Sequence, residues 1–247
     1  MAGEALSRPD GRAGNQIRPL VCTRSLLSRA DGSAQWSQEN TTVLAAVYGP
    51  KSVTGKKENP EYASLEVIWK PKSGLSGKFE KEAELIVKRS LESIILAALY
   101  PNLGISIILQ VINDDGSLLA CAMNAACAAL VDAGIPLSGL IAAVSCGVTV
   151  NNEVVLDLLK SEEQKNVAHV CLVFPSQPVS VVLELPSNVD EKPEKQGFIT
   201  CVMRGAMDVD QYLTCVDQGQ AASAEIAKFL RKSLGQSQVW ALLSFLL

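Results

Sequence analysis

The sequence has a single histidine, His169, and none of its seven cysteines forms a CxxC pair. Zinc modules are built from closely spaced thiolates and imidazoles, so we do not expect one here. The odd number of cysteines, most of them in apolar stretches, indicates buried reduced thiols rather than a disulfide framework. The chain therefore has to fold without cross-links or a structural metal.

Long hydrophobic runs are also missing. No stretch reaches the roughly 18 apolar residues that cross a bilayer. The first residues, MAGE, have no apolar core of the kind that a signal peptide contains. We therefore expect a protein of the cytoplasm or nucleus that has no membrane partner.

The chain lacks an overall positive charge, since its net charge is −4. This excludes a wholly basic nucleic-acid binder but leaves room for a local basic patch. Residues 51–89 contain nine basic and six acidic residues, a net of +3. Lys70, Lys72 and Lys78 fall mainly in predicted loops, where they could follow an RNA backbone. The alternative is a solvated surface of mixed lysine and glutamate pairs.

Hydrophobic residues make up 48% of the chain, which is enough for a sizeable core. Alternating and apolar runs predict strands, and a 3.6-residue period predicts helices. The strands are expected at 17–27, 41–48, 62–69, 105–111, 140–150, 154–158, 167–174, 179–185 and 198–203, and the helices at 80–99, 118–133 and 209–231. Asp31-Gly32 predicts a hairpin turn.

This order of elements predicts an α/β or α+β fold in which helices pack on one mixed β-sheet. We expect a single domain over residues 17–232, with an N-terminal extension at 1–16. Residues 233–247 form a C-terminal tail that is expected to be flexible. Its apolar end, 239–247, is too short to span a membrane.

Gly116 and Ser117 directly precede the apolar helix predicted from Leu118. A glycine and a hydroxyl residue at a helix N-terminus present N–H groups and a positive dipole end, which suits phosphate. The alternative is an ordinary strand-to-helix turn, and Leu118 brings no charge to hold an anion. Arg89, in the preceding predicted helix, could donate two hydrogen bonds from its guanidinium to a phosphate, or it could serve as a salt-bridge partner.

Asp157 lies near the end of an apolar strand, and Glu163 follows it in an acidic turn. Two carboxylates that converge beside a phosphate site could bind Mg²⁺ and act as catalytic groups. The alternative is a strand-end aspartate that binds the local backbone, followed by a solvated turn.

Several segments together resemble the RNase PH family over roughly residues 8–232. They are RPDGR at 8–12, IRP at 17–19, ADGSA at 30–34, NTTVLAAVYGP at 40–50, GSLLA at 116–120, LVDAGIP at 130–136 and VLDL at 155–158. Within the family, the sequence looks most similar to ring subunits of the eukaryotic RNA exosome. The combination of segments is specific, although no single one is.

The resemblance implies a fold of mixed sheet and helices, RNA as substrate, and a six-membered ring of related subunits. Active family members degrade RNA from the 3′ end by phosphorolysis. Their phosphate loop has a glycine, a hydroxyl residue and an arginine, and here Leu118 stands at the arginine position. Their helix arginine corresponds to Arg89. Of their acidic residues, Asp157 is kept, Leu159 replaces the second, and Glu163 replaces the third.

Three functions remain open at this point. The first is a non-catalytic or weakly active RNA-binding subunit of the exosome that acts in rRNA processing and RNA degradation. The second is a 3′–5′ exoribonuclease that uses phosphorolysis or metal-dependent hydrolysis, and the third is a scaffold that does not bind RNA. No cofactor is required by the first, whereas Mg²⁺ or inorganic phosphate would serve the second.

The resemblance also implies a location in the nucleus, nucleolus and cytoplasm. Several predicted strands, such as 105–111 and 167–174, are mostly apolar. If such a strand lies at a sheet edge, it invites pairing with another chain. We therefore expect the isolated protein to form a homodimer through the surface meant for a ring partner.

Overall fold

The computed structural model describes residues 8–52, 60–176 and 197–244, with no account of the side chains of 236–244. The chain forms nine described strands and four α-helices. The strands are β1 Leu20–Arg24, β2 Gly32–Gln38, β3 Thr41–Ser52, β4 Ser64–Lys70, β5 Leu103–Asn113, β6 Leu140–Val148, β7 Val154–Leu156, β8 Ala168–Ser176 and β9 Thr200–Gly205. The helices are α1 Lys78–Glu92, α2 Leu118–Asp132, α3 Lys160–Glu163 and α4 Val209–Ser244. The predicted strand at 179–185 lies outside the described residues.

The strands form two sheets, whereas the sequence predicted one. The first has the order β1-β2-β3-β5-β4 and is antiparallel except for the parallel pair β4 and β5. The second has the order β7-β6-β8-β9 and is antiparallel throughout. The apolar strands β5 and β8 are interior strands, so neither of them offers an open edge.

Strand β2 was not predicted, because its sequence GSAQWSQ has no β-branched residue. Asp31-Gly32 therefore lies at the start of β2 rather than in the tight turn. The two-residue turn is Glu39-Asn40, between the paired residues Gln38 and Thr41. Glu39 has a φ of 53°, as such turns require.

Helix α2 lies between the sheets and forms the centre of the core. It packs against β2 and β3 on one side and against β6 and β8 on the other. Because both sides are covered, residues 120–130 are all buried, and this explains their apolar, alanine-rich sequence. Asn124 is the polar exception, and its amide donates to the Ala143 carbonyl at 3.0 Å and accepts from the Ala143 N–H at 2.8 Å.

Two helices differ in length from the prediction. Helix α1 ends at Glu92 rather than Leu99, because the chain turns away to pair with 136–138: the Leu96 N–H donates to the Pro136 carbonyl at 3.1 Å. Helix α4 continues past Arg231 to Ser244 and takes in most of the predicted tail. The short helix α3 was not predicted. None of the described helices is long and apolar enough to cross a membrane.

The contact between Gly32 and the end of α2 gives a test of this packing. A Cβ atom at Gly32 would lie 2.3 Å from the Ala133 nitrogen and 2.6 Å from the Ala129 carbonyl oxygen. We expect Gly32→Ala to lower the free energy of unfolding by about 1–3 kcal/mol, measured by urea denaturation. Gly197→Ala is the control, since its Cβ would meet no atom within 4 Å. Equal midpoints for the two variants would contradict the packing of α2 on β2.

Candidate functional site

A cavity of about 200 Å³ lies where α1, the start of α2 and the second sheet meet. Helix α1 contributes Phe79, Ala83 and Ile86, which are spaced to face one side. The start of α2 contributes residues 117–120. The second sheet contributes Ser145, His169, Cys171, Val202 and Arg204, and helix α3, between β7 and β8, contributes Glu163.

The predicted phosphate loop forms one wall of this cavity. Gly116 has a φ of 84°, and a Cβ there would lie 2.4 Å from the Leu158 carbonyl oxygen, so only glycine fits. Ser117 donates its main-chain N–H to Glu163 Oε1 at 2.7 Å and its hydroxyl to the Leu158 carbonyl at 3.0 Å. Both donors of Ser117 are therefore bound within the protein. The loop is tied to the acidic segment that follows β7.

Glu163 is thus the anion that contacts this loop. Burial raises the pKa of its carboxyl group above the usual value, although the Ser117 N–H bond acts in the opposite direction. The structure brings Gly116, Ser117 and Glu163 together, as the phosphate-site hypothesis requires. However, an incoming phosphate would have to displace the Glu163 carboxylate from Ser117.

Asp157 is buried beneath the loop and is 3% exposed. Arg18, which is 1% exposed, donates from Nη2 to Oδ1 at 2.7 Å and from Nε to Oδ2 at 3.0 Å. The Arg18 main-chain N–H also donates to Oδ2, at 2.8 Å. Burial alone would lower the pKa of Arg18, but the hydrogen bond and charge of Asp157 outweigh it and raise that pKa. Asp157 is therefore the partner of a buried arginine.

Two further arginines bind the same segment. Arg8 is buried and donates to the Leu156 and Asp157 carbonyls, each at 2.9 Å, and to the Glu162 carboxylate at 2.7 Å. Arg12 donates to the Asp157 carbonyl at 3.1 Å and lies 3.6 Å from its carboxylate. The RPDGR and IRP segments, known from the sequence only as family matches, thus anchor the acidic segment.

This arrangement does not fit a resident magnesium ion. Mg²⁺ needs carboxylate oxygens that are free to coordinate it, but both oxygens of Asp157 already accept hydrogen bonds from Arg18. Glu163 Oε1 is bound to Ser117. Among the described residues, no group of three or more His, Cys, Asp or Glu side chains could hold a metal ion.

Arg89 is not brought into the cavity. It is exposed on α1, and Phe79, Ala83 and Ile86 are the α1 side chains that line the wall. Arg89 lies about one helix turn beyond Ile86, the last α1 residue of the cavity wall, so its position along the helix places it outside the lining residues.

The three predicted RNA-binding lysines are exposed along the segment that joins β4 to α1. Lys72 donates to the Asn113 side chain at 2.9 Å, next to the loop that starts α2. Lys78 is the first residue of α1 and precedes Phe79 of the cavity wall. Lys72 and Lys78 therefore lie beside residues next to the cavity, whereas Lys70 ends β4 opposite Gln110.

Sequence reasoning missed His169, Arg204 and Phe79. His169 of β8 faces Arg204 of β9 in the strand register. Burial, and then the charge of Arg204, lower the pKa of His169. Arg204 donates to Glu82 at 3.0 Å, and its guanidinium carbon lies 4.9 Å from the centre of the Phe79 ring. Three separate elements supply these residues, so no local motif marked them.

The pairing of Asp157 with Arg18 makes a prediction about stability. Asp157→Asn removes one partner of a buried ion pair, and we expect unfolding free energy to fall by about 3–5 kcal/mol. Asp114→Asn breaks the partly exposed pair with Lys160 and should cost about 1 kcal/mol or less. Urea denaturation of both variants measures the difference. A structural role for Asp157 is contradicted if the two variants unfold at the same midpoint.

Known proteins resemble this chain in sequence and in fold. The model of the 3′ exoribonuclease family, domain 1 (RNase PH), matches residues 16–136. The exosome complex exonuclease RRP46 homolog of Arabidopsis thaliana is 53% identical over 232 residues, covering 94% of this chain and 97% of the relative. The Oryza sativa homolog of the same name is 52% identical and covers 92% and 95% of the two chains.

Two solved structures extend the comparison. The crystal structure of rice Rrp46 has a TM-score of 0.82 and 50% identity, covering 92% of this chain and all of that one. A chain of the Archaeoglobus fulgidus exosome with RNA bound to the active site has a TM-score of 0.71, with 92% of each chain covered. Its identity is 16%, so that likeness concerns the fold alone. Sequence identity along nearly the whole chain, together with the fold, shows that the protein belongs to the RNase PH family of 3′ exoribonucleases.

Proposed function

We propose that this protein is an RNA-binding ring subunit of an RNA exosome that acts in 3′–5′ RNA processing and degradation and has little or no catalytic activity of its own. The relatives with more than half of their residues in common are named as exosome proteins. The observation that carries the non-catalytic part is the Arg18–Asp157 pair. It occupies the carboxylate that would otherwise be available for catalysis.

The remaining site positions support the same conclusion. Leu118 replaces the loop arginine, so this position adds no positive charge to the start of α2. Leu159 replaces an acidic residue and is 9% exposed, so apolar packing has taken the place of a carboxylate. Losing one preorganised donor to the transition state costs on the order of 10²–10³ in rate, and here several groups are absent or bound elsewhere.

Arg204 favours the alternative function, a weak 3′–5′ exoribonuclease. It places a guanidinium in the cavity wall that contains Ser117 and Glu163. A cation there would attract inorganic phosphate or the RNA backbone. Phosphorolysis is the form of this alternative that the site favours, because Asp157 and Glu163 do not fit a metal ion. We propose that the main function requires no resident cofactor.

Release of nucleoside diphosphates tests the catalytic part of the proposal. With single-stranded RNA and inorganic phosphate, we expect the pure protein to release almost none, because the loop lacks an arginine. Leu118→Arg should increase the release if a positive charge in the loop is what is missing. Leu213→Arg is the control, since Leu213 is exposed on α4 and does not line the cavity. Robust release by the unaltered protein, abolished by Arg89→Ala, would instead identify it as a phosphorolytic enzyme.

RNA binding by the three exposed lysines between β4 and α1 is tested by its salt dependence. Changing Lys70, Lys72 and Lys78 together to Gln should weaken binding to single-stranded RNA. It should also reduce the slope of log K against log salt by about 2, since each lost phosphate contact contributes roughly 0.7. The matched control changes the exposed lysines Lys165, Lys228 and Lys232. Fluorescence anisotropy provides both values, and an unchanged slope in the first variant would exclude this surface.

We also propose that the protein assembles with other RNase PH-type subunits in a hexameric ring and forms a homodimer when isolated. In the described chain, β1, β4, β7 and β9 are the edge strands of the two sheets. Edge strand β9 carries Met203, which is 50% exposed, and Phe198 before it is 42% exposed. An apolar edge of this kind favours pairing with another chain.

The homodimer is tested by light scattering over a wide concentration range. We expect a mass of twice the 26.3 kDa chain at micromolar concentration. Met203→Glu should shift the protein towards monomer, because it places a charge on the β9 edge, whereas Val150→Glu, at another exposed position, should not. A monomer at high micromolar concentration would contradict this assembly.

We propose the nucleus, nucleolus and cytoplasm as locations, in keeping with a role in RNA processing.

A further inference from the structure

Phe79 and Arg204 form a stacked pair in the wall of the cavity. Phe79 is 43% exposed, although it is a large apolar side chain at the start of a helix. The Arg204 guanidinium lies over its ring, at 4.9 Å from guanidinium carbon to ring centre. Both side chains line the cavity that also contains Ser117 and Glu163. Much of the aromatic surface is therefore open next to the candidate site.

The surrounding residues hold this pair in place. Glu82 lies three residues after Phe79 on α1 and accepts a hydrogen bond from Arg204 at 3.0 Å. Behind Phe79, Ala83 is 3% exposed and packs α1 into the core. On the other side, β9 fixes Arg204 opposite His169 of β8. Because two independent elements hold the two side chains, the pair is preorganised before any ligand arrives.

The charges around the pair suit a nucleotide. Lys78 directly precedes Phe79, and Arg204 adds a second cation that is paired with Glu82 on the same helix. The carboxylates of Asp114 and Glu163 come to the cavity from the loop before α2 and from α3. A flat aromatic surface with cations at its edge matches a nucleobase joined to a phosphate. The cavity of about 200 Å³ is smaller than the roughly 300–1,000 Å³ that encloses drug-sized ligands, so it accommodates part of a nucleotide.

We propose that the stacked pair of Phe79 and Arg204 is the platform on which the protein binds the base at the 3′ end of RNA. Phe79 supplies the stacking surface, and Arg204 supports it and attracts the adjacent phosphate. Stacking does not depend on base identity, because every base has a π-face. The platform therefore binds RNA ends without regard to sequence. This inference rests on the proposed RNA-binding function, which it makes more specific.

The test compares RNAs that differ only in the presence of one base. A 5′-labelled single-stranded RNA is used intact, with an abasic site at its 3′ end, or with an abasic site at its 5′ end. Phe79→Ala should weaken binding of the intact RNA and of the 5′-abasic RNA by about fivefold or more, as expected for one lost stacking contact. It should change binding of the 3′-abasic RNA by less than twofold. Phe79→Tyr should restore tight binding.

Leu85→Ala is the matched control, since Leu85 is also exposed on α1, at 48%, but lines a different cavity. It should leave all three affinities unchanged. If Phe79→Ala binds all three RNAs as tightly as the unaltered protein, the pair only fastens α1 to β9 and the inference is wrong. If the unaltered protein binds none of the RNAs, the proposed function fails as well, so the two failures are distinguishable.

A second measurement does not depend on the stability of the alanine variant. Phe79→Trp places a fluorophore on the platform, and subtracting the signal of the unaltered protein removes the native tryptophans. Intact RNA should quench the added fluorescence by stacking, whereas RNA abasic at the 3′ end should not. Equal quenching by the two RNAs would overturn the assignment of the 3′-terminal base to this platform.

Discussion

The ion pair between Arg18 and Asp157 is the interaction on which the rest of the site depends. It joins a segment before the first strand to a segment that follows β7, about 140 residues later in the chain. The same guanidinium also donates to the Asp115 carbonyl at 2.9 Å, in the loop that starts α2. One buried arginine therefore fixes three distant segments. Replacing it would leave a carboxylate buried without its charged partner.

This pair shows that residues matching a family site also have structural roles in this protein. Gly116, Ser117 and Asp157 keep their places because each has a structural task. Gly116 allows close approach of the 158–160 backbone, Ser117 binds Leu158 and Glu163, and Asp157 neutralises Arg18. In the sequence, residues with these structural roles look the same as the site residues of an active family member. Their hydrogen-bonding capacity, however, is used within the protein.

The cavity itself depends on a different part of the fold. Its walls come from α1, which follows β4 of the first sheet, and from β8 and β9 of the second sheet, together with the start of α2. Buried α2, which packs on both sheets, sets the distance between these walls. The surface that RNA would meet is thus built from the exposed side of elements whose opposite side forms the core. Different residues of α1 therefore serve the cavity surface and the core. Phe79 can be substituted on the exposed side, while buried Ala83 continues to pack the helix into the core.

The sequence by itself determined the class of fold, the positions of most strands, the buried helix α2 and the membership of the RNase PH family. The fold class, the strands and the buried helix follow from periodicity and residue types within single segments, whereas the family follows from a resemblance that several segments carry only in combination. Only the tertiary structure decided that two sheets form, that α1 ends at Glu92, and that β2 is a strand despite its polar composition. It also decided that Asp157 belongs to Arg18, that Arg89 lies outside the cavity, and that Phe79 meets Arg204. Each of these outcomes depends on contacts between residues far apart in the chain, and the pattern within one segment does not contain the position of its distant partner.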